Sequence, residues 1–265
     1  MNVNRSTYYK FLNREPSCRE HENTQIKQKI LEIYAKADKR IGFRKIKICL
    51  ERDYCINISE GRVYRLMKEM SLPKMSTVKP LKQKKHSENG ECKNVLAQNF
   101  DQPKPNMVWV CDFTYVRVSN RFYYVCVILD LYSRKVIACR ISNKIDRILA
   151  IETLRDAVKM RKASSGVMFH SDRGAQFTSD DFRKEIDRLN MIQSFSAKGH
   201  PYDNAVMECF FKYLKKEELN RRHFTTVEQL KQSLLSYIKG FYNPYRPHSH
   251  NHGLSPDQFE NIYFL

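Results

Sequence analysis

Val108-Trp-Val-Cys-Asp-Phe-Thr-Tyr-Val-Arg-Val118 is the stretch that decides the fold. It is apolar, aromatic or β-branched on both faces, and Asp112 is the one acid in it, so it reads as a strand covered on both sides. Ser119-Asn120 turns the chain, and Phe122–Leu129 repeats the pattern as a second strand. Leu131–Arg134 turns again into a third, Val136–Ile141. Beyond it, Ile148–Met160 sets Ile148, Ile151, Leu154 and Val158 at helical spacing. Val167–Ser171 is a short apolar strand ending at Asp172. A helix over about 179–190, a strand at 191–195, a helix from about 203 to 221 and another across Val227–Phe241 complete the pattern. Hairpin-linked strands followed by alternating helices and strands predict an α/β fold, a mixed five-stranded sheet flanked by helices.

Upstream the pattern changes. In residues 1–75, Asn23-Thr24 can cap a helix carrying Ile26, Ile30, Ile33 and Tyr34 on one stripe. A second helix follows Gly42 with Ile46, Ile48 and Leu50 inside, and a third follows Ser59 with Val63, Leu66, Met67 and Met70. Arg62, Arg65 and Lys68 line the outer face of the third. Three short helices, one with a basic face, suit either a helix-turn-helix-like DNA-binding unit or a small bundle with solvated lysines. Residues 76–106, with Lys79-Pro80, the Lys82–Lys85 run, Asn89-Gly90 and Pro103-Lys104-Pro105, read as a basic linker. The expected division is 1–75 helical, 76–106 linker, 107–245 α/β core and 246–265 C-terminal tail.

The formal net charge is +18, and residues 1–100 alone carry 22 Lys/Arg against 11 Asp/Glu. That surplus favours a polyanionic partner, nucleic acid above all. No apolar run is long enough to span a bilayer, and Asn2, Asn4, Arg5 and Lys10 precede no apolar signal core, so the expected location is cytoplasmic. None of the eight cysteines forms a C-x-x-C pair. Cys111, Cys126 and Cys139 sit in strand patterns as small hydrophobes, and the spacings of Cys18 with His21 and of His86 with Cys92 fit zinc poorly.

Three acids stand out by position. Asp112 shares a strand face with Val108, Val110, Thr114 and Val116, where burial is expected and a bare charge is costly unless paired or metal-bound. Asp172 stands at a strand end, where open α/β sheets place ligands. Glu208 lies in the first turns of the helix opened by Pro201-Tyr202-Asp203-Asn204. Three such carboxylates can supply oxygen ligands to Mg²⁺ or Mn²⁺. Taken singly, each has an ordinary structural explanation as an ion-pair, turn or surface residue.

Their context is specific. Trp109-Val-Cys-Asp112-Phe-Thr-Tyr115, His170-Ser-Asp172-Arg-Gly-Ala-Gln-Phe177 and Asp203-Asn-Ala-Val-Met-Glu208-Cys-Phe-Phe-Lys-Tyr-Leu-Lys215 resemble the three catalytic motifs of the IS-three family of insertion-sequence transposases. That family is a branch of the retroviral-integrase superfamily. The 35 residues between Asp172 and Glu208 match its D,D-35-E interval. Lys215 follows Glu208 by seven positions, two helical turns, so both share a face, with Lys212 between them. Lys39–Ile46 through Arg62–Met70 resembles the family's helix-turn-helix segment, and Asp130–Lys135 the turn after its second strand. Tyr242-Asn-Pro-Tyr-Arg-Pro-His248 with Ser255-Pro256 resembles its C-terminal signature.

The resemblance implies a ribonuclease-H-like core and metal-dependent DNA cleavage and strand transfer at the element's ends and the target, by an oligomer on DNA. Asp112, Asp172 and Glu208 would be the catalytic metal ligands, holding two Mg²⁺ or Mn²⁺ ions. Lys215, Lys212, His170, Arg173 and Lys198 would contact DNA at the core, and Arg44, Lys45, Arg62 and Arg65 in the helical unit. The loop Ser196-Ala-Lys-Gly-His200 is expected to shape itself around DNA. Two departures stand out. His248-Ser-His-Asn-His252 is rich in histidine and expected to be an exposed tail. No sustained heptads are present, and Met1–Asn13 resembles the start of the family's second-frame product, so an upstream first-frame protein or fusion is an expected partner. A nuclease of the same fold that does not join strands, and a non-catalytic DNA-binding relic, are the competing readings.

Overall fold

Ser17 and Glu20 open the first helix with a reciprocal capping box, the Ser17 side chain accepting from the Glu20 N–H while the Glu20 carboxylate accepts from the Ser17 N–H. The computed structural model describes residues 15–72, 92–162, 165–197 and 201–264, with Ser6 and Tyr9. It divides into two units, Met1–Met75 and Ser76–Leu265.

In the first unit α1 (Cys18–Lys36), α2 (Phe43–Tyr54) and α3 (Glu60–Glu69) pack on one another. Helix α1 begins five residues before Asn23, because the Ser17-x-x-Glu20 box outcompetes the later polar pair. Ile26, Ile30, Ile33 and Tyr34 face inward as their spacing predicts. In α2 the buried residues are Ile46, Cys49 and Leu50 rather than Ile48, which lies off the i, i+3, i+4 stripe set by Ile46. Ser59 caps α3, and Val63 and Leu66 are its buried pair.

The second unit is built on five strands, β1 (Val108–Val118), β2 (Arg121–Asp130), β3 (Val136–Ser142), β4 (Met168–Ser171) and β5 (Ile192–Phe195), in the order β3-β2-β1-β4-β5. The first three are antiparallel, and β4 and β5 run parallel to β1. This is the mixed, helix-flanked, ribonuclease-H-like sheet that the resemblance implies. On one face Trp109, Cys111, Cys126, Ile128 and Phe169 meet Leu149, Leu154 and Ala157 of α4 (Arg147–Arg161) and Phe177 of α5 (Ala175–Thr178). Phe182 and Ile186 of α6 (Asp180–Arg188) join the same core. Since strand side chains alternate, Asp112 lies on the opposite face.

Helix α7 (Ala205–Glu217) packs against β1, and α8 (Val227–Leu235) runs on into a wide π-turn, Ser236–Tyr242, that points Tyr237, Ile238, Phe241 and Tyr242 inward. Helix α9 (Pro256–Tyr263) ends the described chain.

Two expected margins of the core are part of it. Residues 92–106 do not behave as a linker: the Phe195 N–H donates to Lys93 O at 2.9 Å, Leu96 is buried, and the Asn106 N–H donates to the Asp130 carboxylate. Nor is 246–264 an exposed tail. Asn251 donates to Ser133 O at 2.8 Å, the His250 ring meets Tyr132 O at 3.0 Å, and Glu260 accepts from Ser133 Oγ at 2.6 Å. Polar composition suggests solvent, but each of these groups finds a partner on the β2–β3 turn. The Lys82–Lys85 run, Lys198, Gly199 and His200 lie outside the described residues. No helix among the described residues is long and apolar enough to cross a membrane.

Candidate active site

The parallel pairing of β1 with β4 sets Val110 opposite His170. Asp112 and Asp172 each follow that pair by two residues, Asp172 just past the end of β4. Both acids act on the buried Cys111 thiol, whose pKa is pushed well up by burial first, then by Cys126, then by the charges of Asp112 and Asp172. Asp112 is half-buried, not buried as its strand face suggests, and Asp172 is exposed. One oxygen of each is held by the following backbone: Asp112 accepts the Phe113 N–H at 2.7 Å and Asp172 the Gly174 N–H at 3.0 Å.

The third acid arrives on α7. Its start is tied to the strand bearing Asp112, because Asn204 Nδ2 reaches Cys111 O at 3.5 Å. Glu208 sits in the first turn and is exposed. Two turns on, Lys215 is half-buried, its ammonium 4.9 Å from the centre of the Tyr115 ring. Burial lowers its pKa, and the nearby charge of Asp112 opposes that shift. Lys212 is exposed.

The structure thus brings the positions of Asp112, Asp172, Glu208 and Lys215 to one region of the sheet. It does not close the carboxylates into a cage: among the described residues no three His, Cys, Asp or Glu side chains stand close enough to share an ion. The donor set still fits a hard divalent cation, being all carboxylate oxygen and offered from a strand, a strand end and a helix whose start is bonded to that strand.

His170 is placed differently from its expectation as a DNA contact. It is fully buried, with Nδ1 2.9 Å from Ser194 Oγ and Nε2 3.1 Å from Asp203 O. A carbonyl only accepts, so Nε2 carries the proton and Nδ1 accepts from the Ser194 hydroxyl. Burial lowers the pKa to about 4 against the opposing pull of Asp203, which keeps the ring neutral. His170 therefore holds β4, β5 and the start of α7 together. Arg173, half-buried, spends its guanidinium on Ser196 O at 2.8 Å and Cys92 O at 3.4 Å.

In the helical unit Arg62 is drawn back onto Glu22 (2.7 Å) and Asn23 (2.8 Å) of α1 rather than presented outward. Arg44 is exposed, 3.3 Å from Glu60, and lies over the Phe43 ring, while Lys45 is half-buried and Arg65 exposed. The sequence reading passed over Asn94, Gln98 and Ser194. All three converge on Asp203 and His170. Asn94 and Gln98 were hidden by their assignment to a linker; the polar pair ahead of the first strand was the signal available.

Residues 102–201 and 208–264 each match the family described as Integrase core domain, and residues 20–79 match the HTH-like domain. The chain is 41% identical over 168 residues to the transposase InsF for insertion sequence IS3A of Escherichia coli strain K12, a match covering 63% of this chain and 58% of that protein. It thus spans under three-fifths of that relative's length. It is 30% identical over 263 residues to the insertion element IS600 uncharacterized 31 kDa protein of Shigella sonnei, covering 98% of this chain and 96% of the relative. Among solved structures, the HTLV-2 integrase catalytic core domain in complex with magnesium (trimeric form) aligns with a TM-score of 0.43 at 17% identity, over 60% of this chain and 98% of that one.

Proposed function

Because this chain belongs to the IS-three family of insertion-sequence transposases, we propose that it cleaves DNA at the ends of an insertion element and transfers the strands to a target. The observation that carries this reading is the β1–β4 pairing of Val110 with His170, each two residues before Asp112 and Asp172, beside a helix start bonded to Cys111 and leading to Glu208.

Asp112, Asp172 and Glu208 are the residues that would hold the cations, Mg²⁺ or Mn²⁺, two per site. When bound, such ions supply Lewis-acid stabilisation of a phosphoryl group and lower the pKa of the attacking hydroxyl or water. The chain's own part is placement. The backbone bonds from Phe113 and Gly174 fix one oxygen of each of Asp112 and Asp172 and so set the direction of the carboxylates. Lys215, over the Tyr115 ring and within the field of Asp112, would bind a phosphate oxygen, with exposed Lys212 tracking the strand beyond it. No serine or tyrosine nucleophile is invoked, so strands would join by direct transfer, without a covalent protein–DNA intermediate. Arg44, Lys45 and Arg65 of the helical unit would add phosphate contacts that weaken steeply with salt. The active form on DNA is read as a homo-oligomer, with an upstream first-frame protein as partner.

The test uses labelled DNA carrying the element's ends, with Mg²⁺, Mn²⁺ or EDTA, and an Asp112→Ala variant alongside. Metal-dependent nicking and joining by the wild type, with the variant binding DNA but doing neither, is the expected result. Hydrolysis without joining would favour the nuclease reading. Binding without cutting by both proteins, even with the upstream product added, would favour the relic.

A further inference from the structure

Asp203 is a buried acid that the chemistry above leaves unused. It stands in the turn Pro201–Asn204, five residues before Glu208, and is 2% exposed. Both its oxygens are taken. Oδ1 accepts from Gln98 Nε2 at 2.7 Å, and Oδ2 from Asn94 Nδ2 at 2.8 Å and from the Ala197 N–H at 2.7 Å. The Asn94 amide is itself oriented, because its Oδ1 accepts the Ala97 N–H at 2.9 Å. Ala97 and Gln98 both hold left-handed backbone (φ 46° and 61°), a conformation non-glycine residues adopt only when surrounding bonds enforce it.

The strap carrying these amides is fixed along its length. Lys93 O accepts from Phe195 at the end of β5, and the N–H groups of Val95 and Leu96 both donate to Ser194 Oγ at 3.0 Å. That hydroxyl accepts twice and donates once to His170, which uses its full capacity.

The placement of these bonds is what matters. Through its carbonyl Asp203 meets His170, two residues before Asp172; its neighbour Asn204 meets Cys111, one residue before Asp112. The turn that starts α7 is thereby bonded beside two of the three acids and clamped by the strap, and the third acid follows one turn later. We propose that Asn94 and Gln98 are positioning residues: through Asp203 they set where α7 begins, and hence where Glu208 presents its carboxylate to Asp112 and Asp172. This rests on the transposase reading, in which those three acids hold the cations.

The experiment uses the full chain, an Asn94→Ala/Gln98→Ala double variant, the milder Gln98→Ala, and Gln102→Ala as a control whose side chain, among the described residues, bonds only to Asn99 O. Three quantities are measured: Mn²⁺ binding by electron paramagnetic resonance without DNA, strand cleavage against Mn²⁺ concentration, and Tm. A positioning role predicts a Mn²⁺ half-saturation raised by about tenfold or more in the double variant, since loosening groups behind metal ligands has that effect. It also predicts a smaller rise in Gln98→Ala, recovery of cleavage at high Mn²⁺, and wild-type behaviour of the control. Unchanged Mn²⁺ titrations would overturn the proposal, whether or not Tm and cleavage fall, since that pattern marks a purely structural clasp. A wild type that neither binds Mn²⁺ nor cuts would instead remove the transposase reading, and the proposal with it.

Discussion

Two groups of acids within the same unit are treated in opposite ways. Glu217, Glu260 and Asp203 are buried and saturated. Glu217 is bound by Arg246 at 2.6 and 2.8 Å and by Tyr237 Oη at 2.8 Å; Glu260 is bound by Arg161, Lys135 and Ser133. Asp172 and Glu208 are exposed and Asp112 is half-buried. Desolvation explains the first group: a carboxylate removed from water must be given cations and N–H donors or the fold does not tolerate it. At the second group solvent meets part of that need, and the acids stand where a ligand from solution can reach them. Acids of one chemical type thus divide into structure and candidate chemistry by burial.

The sharpest way to break the comparison is to remove a saturated acid. Glu217→Ala would strand the Arg246 guanidinium, 2% exposed, between the Tyr213 and Tyr242 rings. A loss of about 3–5 kcal/mol is expected, since truncating one member of a buried pair leaves the other uncompensated. Thermal unfolding should show this as a Tm drop on the order of 10 °C; a drop of a degree or two would mean the pair contributes little.

Next in size is the pH dependence that His170 imposes. Its folded pKa, about 4, lies below the ordinary 6.5. The resulting stabilisation is complete above pH 6.5 and is lost as pH falls through about 4, up to roughly 3 kcal/mol. In His170→Gln the fall of Tm between pH 7 and 4 should be shallower than in the wild type. Asp130, raised to about 6 mainly by burial, gains stability as it protonates over part of that window. It does so in both proteins and cancels from the difference. Equal slopes would show that the ring takes up its proton as easily folded as unfolded.

The smallest stability effect belongs to the open group. Asp172→Asn keeps the oxygen that accepts the Gly174 N–H and should move stability by within about 0.5 kcal/mol, while abolishing metal-dependent cleavage. A large Tm change there would erase the distinction between the two groups.

Much of this was legible in the residues. The Val108–Val118 run and its two hairpin partners specified the antiparallel half of the sheet, because strand-forming side chains on both faces leave few other ways to bury them. The helical stripe Ile26, Ile30, Ile33 and Tyr34 was equally plain, although the Ser17–Glu20 box placed the helix start earlier than Asn23-Thr24 suggested. The three acids were picked out by position and motif, each of which is local in sequence.

What the sequence determined alone was the five strands, most of the helices (though not α9, which it read as tail), the candidate acids and the spacing of Glu208 from Lys215, since periodicity and motif belong to short stretches of chain. Tertiary structure alone decided which polar side chains are spent. His170 and Arg173 stand within two residues of Asp172 in the chain and look like DNA contacts, yet their bonds go to Ser194, Asp203, Ser196 and Cys92. Asn94 and Gln98 lie more than a hundred residues from the Asp203 they hold, and Glu217 lies 29 from Arg246. Burial and hydrogen-bond partnership depend on which distant segments the fold brings together, and no local pattern carries that information.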